Sequence, residues 1–409
     1  MASLDIAICG AGPAGLATAL YMRRLGHRTV ILERFDAPKP LGSGLILQPT
    51  GQAVLHDLGL LDAIEALGAP IERLHGADAR TGRVVLDVRY NSLPGIGRGL
   101  GIHRAALFSV LHDAVLAAGI PIRTGHAVAA LSDLSDGRRA VILAEEQRTE
   151  PFDLVIDCLG SGSPLKPHSA GQGKSRSLPF GAIWGTVPWH EQGFEATALT
   201  QRYRAASVMI GVLPIGRSSP DGPPLAAFFW SLKPDDYEAI RQNGLAAWKA
   251  EVLSHWPGVQ VHLDAVDDFA DMTLARYAHH TMTVPAGEAL AFVGDSAHSA
   301  SPQLGQGANM ALLDARALHL ALREHPDDLG KALAHYAKLR RGHVRLYQAL
   351  SAMFTPFYQS DSRVLPVIRD LFVSVLAKIP PAPQLLAAIV AGALLSPIKK
   401  LDLKAPPRG

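Results

Sequence analysis

The sequence contains very little cysteine: two of its 409 residues, Cys9 and Cys158, each inside a strand-like apolar run. Two cysteines cannot form the disulfide framework of a small secreted domain, and their spacing excludes a CxxC redox or zinc motif. We interpret both thiols as small buried hydrophobic groups. No histidine, cysteine and acidic residues have metal-ligand spacing, so the sequence predicts no metal site. The scarcity of cysteine favours a cytoplasmic location.

An excess of charge of either sign is also missing. Lysine and arginine number 39, aspartate and glutamate number 37, and the net charge is +2. This balance, with basic residues dispersed along the chain, argues against a nucleic-acid partner. No basic segment precedes the first apolar run, which therefore predicts a strand rather than a signal peptide. Hydrophobic residues make up 48% of the chain, and with its length this predicts a globular protein of two domains.

The N-terminal residues have the pattern of a dinucleotide-binding βαβ unit. A strand-like run leads directly into the turn Gly10-Ala11-Gly12-Pro13-Ala14-Gly15, an apolar helix follows, and a second strand-like run ends at Glu33. Gly10 would permit the tight turn, Gly12 would let the backbone approach a pyrophosphate, and Gly15 would let helix and strand pack closely. Glu33, 18 residues after Gly15, would accept hydrogen bonds from a ribose. The alternative is a glycine-rich turn in an ordinary βαβ unit.

A second segment, almost 300 residues later, combines an acidic residue with a glycine turn. The apolar run 289–293 predicts a buried strand that stops at Gly294-Asp295, and Gly305-Gln306-Gly307 opens a helix shortly afterwards. This order would direct a carboxylate and the free N–H groups of a helix N-terminus at one spot. Such a spot suits a ligand that carries both hydroxyl groups and negative charge.

Together the two segments resemble the FAD-dependent aromatic hydroxylases, the group A flavoprotein monooxygenases typified by para-hydroxybenzoate hydroxylase. The resemblance extends to about Gly342. Residues 42–49 look like the second flavin loop of that family, and residues 101–107 resemble the segment whose arginine reaches the flavin. It implies FAD as the cofactor, with contacts at Gly10, Gly12, Pro13, Ala14, Gly15, Glu33, Arg34, Gly44, Arg104, Val128, Gly160, Asp295, Gly307, Ala308 and Asn309.

The resemblance also implies the chemistry. Family members hydroxylate an aromatic or other apolar organic substrate with O2 through a flavin C4a-hydroperoxide. Pro302 would shape the face of the flavin ring, and the N–H groups from Gly305, Gln306 and Gly307 onward would stabilise negative charge on the reduced ring. These four residues form the predicted catalytic loop.

One family motif is altered. The family has an Asp-Gly motif for FAD and NAD(P)H, and here Leu159 stands at the aspartate position, before Gly160. Asp157 lies two residues earlier, on the same face of a strand, but an offset of two residues is roughly 6–7 Å. Two interpretations remain open: drift at a tolerant position, or altered use of NAD(P)H, with reduced flavin or another donor supplying the electrons.

The motifs predict an α/β fold that has a Rossmann-like FAD-binding domain, an inserted antiparallel-sheet substrate domain and a C-terminal helical region. We assign residues 1–70, 101–174 and 271–330 to the FAD-binding domain, residues 71–100 and 175–270 to the substrate domain, and residues 331–409 to the helical region. Alternating or apolar runs at 83–90, 181–187, 206–213 and 225–232 predict strands of the substrate domain. Candidate substrate contacts at sheet positions of this domain are Trp184, Tyr203, Met209, Phe228 and Trp230.

The C-terminal region predicts helices over 331–352 and 364–378, followed by an apolar run at 385–395. Eleven apolar residues are too few to cross a bilayer, and the flanking prolines argue against a longer helix. One interpretation is a helix pair packed on the protein body or on a second subunit. The basic pair Lys399-Lys400 supports another, in which residues 364–400 contact a membrane surface, peripherally, or line the path of an apolar substrate.

Three other functions share the FAD motifs. A flavin-dependent halogenase is disfavoured, because Trp184-Gly185-Thr186-Val187-Pro188 does not match the W-x-W-x-I-P signature. A flavin-dependent reductase of isoprenoid-type double bonds gains support from the apolar C-terminal region. A non-catalytic FAD-binding protein is favoured by Leu159 and disfavoured by the intact catalytic loop.

Overall fold

The structure is a computed structural model that describes residues 3–37, 42–373, 377 and 379–406. Its strands are β1 (Asp5–Cys9), β2 (Arg28–Leu32), β3 (Gly44–Leu47), β4 (Ala69–Ile71), β5 (Arg73–Asp78), β6 (Val84–Arg89), β7 (Gly99–His103), β8 (Ile122–Arg123), β9 (Val128–Leu131), β10 (Arg139–Leu143), β11 (Arg148–Phe152), β12 (Leu154–Asp157), β13 (Ser175–Ser177), β14 (Gly181–Pro188), β15 (Ala198–Arg204), β16 (Val208–Pro214), β17 (Leu225–Leu232), β18 (Met272–Ala275), β19 (Ala278–Thr281), β20 (Ala286–Gly287), β21 (Leu290–Phe292) and β22 (His298–Ser299).

The helices lie between and after these strands. They are α1 (Pro13–Arg24), α2 (Pro49–Asp57), α3 (Leu61–Glu65), α4 (Arg104–Ala117), α5 (Tyr237–Asn243), α6 (Leu245–His255), α7 (Gln260–Leu263), α8 (Gly307–Glu324), α9 (Leu329–Tyr358), α10 (Leu365–Ile368), α11 (Ala382–Val390) and α12 (Pro397–Lys400).

A six-stranded sheet in the order β20-β21-β12-β1-β2-β8 forms the centre of the FAD-binding part. Strands β21, β12, β1, β2 and β8 run parallel, and the register pairs Cys9 with Asp157 and Asp157 with Phe292. These three residues are the last of their strands, so the loops that follow β1, β12 and β21 meet at one edge of the sheet. A ligand site is expected at that edge in an open parallel sheet. The predicted Rossmann-like organisation is thus confirmed.

The largest apolar core lies between this sheet and helices α1, α4 and α8. Most alanine and leucine side chains of α1 and α8 are buried there. Because α8 is buried around most of its circumference, its N-terminus is held at a fixed position relative to the sheet. That N-terminus follows the predicted catalytic loop.

A seven-stranded sheet forms the second layer, in the order β18-β14-β17-β16-β15-β5-β6. Its neighbours are antiparallel except for the parallel pair β15–β5. The predicted strands at 181–187, 206–213 and 225–232 correspond to β14, β16 and β17. Strand β18 also belongs to this sheet, although the sequence prediction assigned residues from 271 onward to the FAD-binding domain. We therefore propose that the boundary follows Ala275.

Alternation along these strands gives the sheet two different faces. The inner face, which carries Trp184, Thr186 and Phe229, lies toward the FAD-binding part, because the Thr186 hydroxyl donates to the Ser43 hydroxyl at 3.0 Å. The outer face packs against α6, where Trp248 lies 6.0 Å from the ring of Phe228 and 5.7 Å from that of Trp230.

The C-terminal region is helical, as predicted, with different bounds. Helix α9 continues to Tyr358, beyond the expected end at 352. Over 364–378 the structure has α10 and a π-helical turn at Arg369–Val373, and residues 374–376 and 378 lie outside the described residues. Helix α11 ends at Val390, before the end of the apolar run, because Gly392 adopts a positive φ of 76° that turns the chain away from the helix.

Candidate active site

The turn after β1 requires glycine at two positions for different reasons. Gly10 has a φ of 102°, and a Cβ added there would lie 2.8 Å from the carbonyl oxygen of Cys158. At Gly15 an added Cβ would lie 1.9 Å from the carbonyl oxygen of Gly10, so only glycine lets α1 approach the turn this closely. At Gly12, by contrast, no heavy atom lies within 4 Å of an added Cβ, so this backbone borders open space.

The N-terminus of α1 presents unpaired donors to that space. The N–H groups of Gly12, Ala14 and Gly15 have no hydrogen-bond partner among the described residues, and Pro13 has no N–H to satisfy. Free N–H groups at a helix N-terminus carry partial positive charge and bind phosphate oxygens. The local geometry therefore fits the pyrophosphate of a dinucleotide.

Glu33 lies beside this turn at the end of β2. Its two carboxylate oxygens accept the N–H groups of Ala11 at 2.7 Å and Phe35 at 3.2 Å, and the side chain remains half-buried. Because each carboxylate oxygen can accept a further hydrogen bond, Glu33 both holds the glycine turn and retains capacity for a ribose hydroxyl. Arg34 is exposed, with its guanidinium 4.6 Å from the centre of the Phe35 ring.

Asp295 lies at the same edge, after β21. Its carboxyl is open to solvent although protein surrounds it on most sides, which is the situation of a group on the floor of a cleft. The surrounding protein raises the pKa of Asp295 by desolvation, and the positive charges of His298 and Arg104 partly offset this rise. A carboxylate in this position can accept hydrogen bonds from the hydroxyl groups of a bound ligand.

The N-terminus of α8 faces Asp295. A Cβ added at Gly307 would lie 3.9 Å from Oδ1 of Asp295, and the N–H groups of Gly307, Ala308 and Asn309 have no partner within the part of the chain that the structure describes. A ligand bound between α8 and Asp295 would meet donors on one side and an acceptor on the other. The ribityl hydroxyls and the anionic ring of reduced FAD require these two kinds of group.

The side chain of Asn309 joins the second flavin loop to this helix. Its Oδ1 accepts the N–H of Gln48 at 2.8 Å, and its Nδ2 donates to the carbonyls of Ile46 at 3.1 Å and Gly305 at 2.9 Å. An added Cβ at Gly51 would lie 2.2 Å from Asn309 Oδ1, so helix α2 needs glycine at this contact. Sequence reasoning missed the role of Gly51, because only the fold brings residues 51 and 309 together.

Gly44, in the second flavin loop, and Arg104, at the start of α4, flank the cleft together. The N–H of Arg104 donates to the carbonyl of Ser43 at 2.9 Å, and its exposed side chain lies across Gly42, where an added Cβ would be 2.9 Å from Arg104 Cδ. At Gly44 an added Cβ would lie 2.3 Å from a methyl group of Ile215. Gly44 is therefore needed for contact with the second sheet, and Arg104 is the residue of this pair that can reach a ligand.

The predicted catalytic loop is a 3-10 turn at Pro302–Leu304 followed by Gly305 with a φ of 60°. Gln306 stays a predicted site residue through its backbone alone. Its side chain is buried and turned away from the cleft, and Nε2 donates to the Val390 carbonyl of the C-terminal segment at 2.6 Å. Gln306 can contribute its backbone to the site, whereas its amide group anchors α11.

The altered Asp-Gly motif has a clear structure. Asp157 is fully buried, its Oδ1 accepts the N–H of Leu159 at 2.9 Å, and its Oδ2 accepts the hydroxyl of Ser163. Burial raises the pKa of Asp157 to about 6, against the opposing effect of these hydrogen bonds. Asp157 organises its own loop and is not exposed to a ligand, so it does not replace the missing aspartate. Gly160 has a φ of 81° and borders open space.

Val128 lies outside the parallel sheet, in the separate three-stranded sheet β11-β10-β9. It is in β9, pairs with Leu143 and packs against the apolar cluster beneath the parallel sheet. Its contact with FAD stays a prediction.

The five candidate substrate residues fall on both faces of the second sheet. Phe228 and Trp230 lie on the outer face, packed against α6, so we do not retain them as substrate contacts. Tyr203 and Met209 share a small apolar cluster with Phe229, which Trp184 joins from the side. Tyr203 is only 1% exposed. Trp184 is half-buried, and its Nε1 donates to the Tyr277 hydroxyl at 2.8 Å.

A buried ionic network supports the cleft from behind, and sequence reasoning did not find it. Asp314 of α8 accepts the Gly294 N–H at 2.9 Å and pairs with His298 at 2.6 Å and with Arg340 at 2.5 Å. Burial alone would raise the pKa of Asp314, but the charges of His298 and Arg340 outweigh it and hold the pKa at about 2. The network fixes the turn that carries Asp295.

Comparison with known proteins agrees with this geometry. The model of the FAD binding domain family matches residues 3–345. The chain is 28% identical over 345 residues to an FAD-dependent urate hydroxylase of Mycolicibacterium vanbaalenii, covering 82% of this chain and 84% of that protein. It is 30% identical over 368 residues to 3-amino-4-hydroxybenzoate 2-monooxygenase of Streptomyces cremeus, covering 82% and 83%. Its fold is similar to that of Klebsiella pneumoniae HpxO in complex with FAD and uric acid, with a TM-score of 0.79, 19% identity and coverage of 96% and 98%.

Proposed function

Because the chain belongs to the FAD-dependent aromatic hydroxylase family and is an FAD-dependent monooxygenase, we propose that it hydroxylates a small aromatic substrate with O2. The reaction would take place between the flavin and the inner face of the second sheet. The observation that carries the proposal is the cleft in which Asp295 faces the unpaired N–H groups of Gly307 to Asn309. The proposed substrate class follows from the apolar inner face and from the relatives, which include hydroxylases named for urate and for 3-amino-4-hydroxybenzoate.

The protein's part in this reaction is to bind, orient and shield. Bound FAD supplies the redox and oxygen chemistry. The N–H groups at the start of α1 would hold its pyrophosphate, Glu33 a ribose hydroxyl, and Asp295 the ribityl chain. The N–H groups at the start of α8 would stabilise negative charge on the reduced ring. This stabilisation is strongest where water is excluded. Pro302 and Gly305 would shape the loop beside the ring.

Trp184 is the substrate contact that the structure favours most. It is half-buried on the inner face, and its indole N–H is already paired with Tyr277, so its ring is held in one orientation. An aromatic ring fixed in this way binds another ring at little cost in conformational entropy. Phe229 lies beside it, with ring centres 4.5 Å apart. Tyr203 and Met209 stay proposed contacts, although the 1% exposure of Tyr203 means that neighbouring side chains would have to move.

The electron donor is the second part of the proposal. Because Asp157 is buried in its own loop, we propose that NAD(P)H reduces this enzyme slowly and that another donor, such as reduced flavin, supplies the electrons. The Leu159→Asp variant tests this directly. Under anaerobic conditions we expect it to be reduced by NADH or NADPH faster than the wild type, whereas rapid reduction of the wild type by either nucleotide would contradict the proposal.

Oxygen incorporation tests the proposed reaction. The purified enzyme, reduced chemically and then exposed to 18O2 with candidate aromatic substrates, should place one labelled oxygen atom in the product. The matched control is Asp295→Asn reloaded with FAD to the same occupancy. Saturation of an isoprenoid double bond without O2 would instead establish the reductase alternative, and flavin reoxidation without product for every aromatic tested would favour a non-catalytic role.

We also propose that the C-terminal region contacts an anionic membrane surface. Among the residues whose burial the structure describes, ten large apolar side chains are exposed. Eight of them lie between residues 353 and 395: Met353, Val364, Val367, Ile368, Leu371, Ile379, Leu385 and Leu395. Residues 331–409 contain 12 basic and 3 acidic residues, so this region has a net charge of +9, whereas the rest of the chain has a net charge of −7. Exposed apolar side chains combined with positive charge are typical of peripheral attachment. None of the helices in the described part of the chain could cross a membrane.

Vesicle sedimentation tests this contact. We expect the enzyme to bind vesicles rich in phosphatidylglycerol more tightly than those of phosphatidylcholine, and Val367→Asp with Leu371→Asp to abolish binding. The matched control is Leu116→Asp with Leu134→Asp, two exposed leucines outside the region. If Val367→Asp with Leu371→Asp abolishes a dimer but still binds vesicles, a second subunit covers this surface.

A further inference from the structure

A second cleft lies behind the flavin cleft, between α9 and strands β19 and β22. Among the residues that line it are Thr281, Thr283, His298, Arg340, Arg341 and Arg345, with Asp314 as an acidic residue at its base. The three guanidinium groups approach it from one helix. None of the residues that we assign to FAD or to the substrate is among those that line this cleft.

Arg340 forms the floor of the cleft and is incompletely paired. It is 2% exposed. Its Nε pairs with Asp314 at 2.5 Å, and its Nη1 lies 3.4 Å from Nδ1 of His343. Its Nη2 is buried and has no hydrogen-bond partner among the described residues. A buried charged donor without an acceptor is costly, so a group that supplies an acceptor at this point is stabilising.

Asp314 does not supply that acceptor. Its Oδ1 is taken by Arg340 Nε, and its Oδ2 by His298 and by the N–H of Gly294. Asp314, the acidic side chain among the described residues that line the cleft, is therefore already engaged by three donors, and none of these bonds involves Arg340 Nη2. The donors around the cleft exceed the acceptors.

Arg341 and Arg345 add exposed positive charge at the mouth. They are four residues apart on α9, so they lie on the same side of the helix, and both are exposed. Neither forms an ion pair with another described residue. Two unpaired guanidinium groups at the mouth and one at the floor are the arrangement that binds oxygen atoms of phosphate with several charge-assisted hydrogen bonds.

We propose that this cleft is a binding site for a phosphate group, either inorganic phosphate or the phosphate monoester of a nucleotide. The site would be linked to the flavin cleft through Arg340 and Asp314, because Asp314 also holds the Gly294 N–H beside Asp295. The inference does not rest on the proposed function, since its test needs no turnover.

The test is titration calorimetry of the FAD-loaded enzyme with inorganic phosphate and, separately, with adenosine 2′-monophosphate, at constant ionic strength set with sodium chloride. The test variant is Arg341→Gln with Arg345→Gln, which leaves the Asp314 network intact. The matched control is Arg363→Gln with Lys404→Gln, which removes the same charge from exposed positions outside the cleft. FAD absorbance confirms that all three proteins are folded and loaded.

We expect saturable binding of one phosphate per chain, weakened at least tenfold in the test variant and unchanged in the control. Binding of both ligands supports a general phosphate site, and binding of the nucleotide alone identifies a nucleotide as the source. No heat of binding with either ligand overturns the proposal. Equal weakening in both variants also overturns it, because it would show a general attraction to positive charge.

Discussion

Adding one methyl group at Gly15 and one at Gly12 should have different effects: the first should impair folding, and the second should impair FAD binding. At Gly15 the new Cβ would lie 1.9 Å from the Gly10 carbonyl oxygen, 3.1 Å from its carbon and 3.4 Å from a methyl group of Ile8. The first two atoms belong to the backbone at the edge of the sheet and cannot move without displacing β1. Overpacking of this kind typically costs ~1–3 kcal/mol, occasionally more, and we expect Gly15→Ala to lower the free energy of unfolding by about 3 kcal/mol.

Gly12→Ala meets no such obstacle. No heavy atom lies within 4 Å of the added Cβ, and φ of −70° with ψ of 174° is a conformation that alanine adopts freely. The FAD-free protein should therefore be as stable as the wild type, or more stable by ~0.4–1 kcal/mol through the reduced entropy of the unfolded chain. The methyl group would instead occupy the space assigned to the pyrophosphate. A clash of ~3 kcal/mol there raises the FAD dissociation constant about 100-fold.

Two measurements on each FAD-free variant distinguish the effects: urea unfolding followed by circular dichroism, and FAD titration followed by flavin fluorescence. Gly12→Ala should lose FAD affinity with its stability intact, and Gly15→Ala should lose stability first. Wild-type FAD affinity in Gly12→Ala would refute the assignment of the open space to the pyrophosphate. Wild-type stability in Gly15→Ala would refute the packing argument.

Three further predictions concern residues in and around the cleft. Because the native state raises the pKa of Asp157 from 3.8 to about 6, it binds that proton more tightly than the unfolded chain does. The contribution of Asp157 to stability, ~3 kcal/mol in total, is fully present only below the unfolded pKa of 3.8 and is lost as the pH rises through 6. Asp157→Asn should remove this part of the pH dependence, and identical unfolding profiles of variant and wild type would count against it. Asp295→Asn should weaken FAD binding by roughly 10–100-fold, the value of a hydrogen bond to a charged group, and should leave the melting temperature of the FAD-free protein unchanged; an equal loss of stability would point to a structural role. Gln306→Leu removes the hydrogen bond to the Val390 carbonyl. This variant should destabilise the FAD-loaded protein by ~1–3 kcal/mol and leave its flavin absorbance unaltered. An altered FAD affinity would show that the amide does reach the cleft.

Much of the FAD-binding half was predictable because its signals are local. The glycine turn at 10–15 is recognisable from adjacent residues, since strand, turn and helix are each determined by short-range periodicity and by the conformational freedom of glycine. The second segment, with Asp295 and the turn at Gly305, is recognisable for the same reason. Parallel strand order then brings these loops to one edge.

The substrate side was less predictable. The aromatic residues of β14 to β17 were identified, but Phe228 and Trp230 lie on the outer face with Trp248. A strand shows which residues alternate and does not show which set faces a ligand, because that depends on the layers packed on each side. The same limit applies to Asp157, whose strand position was known but whose hydrogen bonds to Leu159 and Ser163 were not.

The sequence by itself determined the fold class and the cofactor, and it predicted the residues that we propose for the pyrophosphate and the ribityl chain, because each depends on a motif of a few adjacent residues in a defined strand or helix. Only the tertiary structure decided what supports and encloses that site. The pairing of Asp314 with Arg340, the anchoring of α11 by Gln306 and the contact between Gly51 and Asn309 join residues that are 26, 84 and 258 positions apart. Such contacts leave no local pattern, since they arise from packing between elements rather than from the periodicity within one.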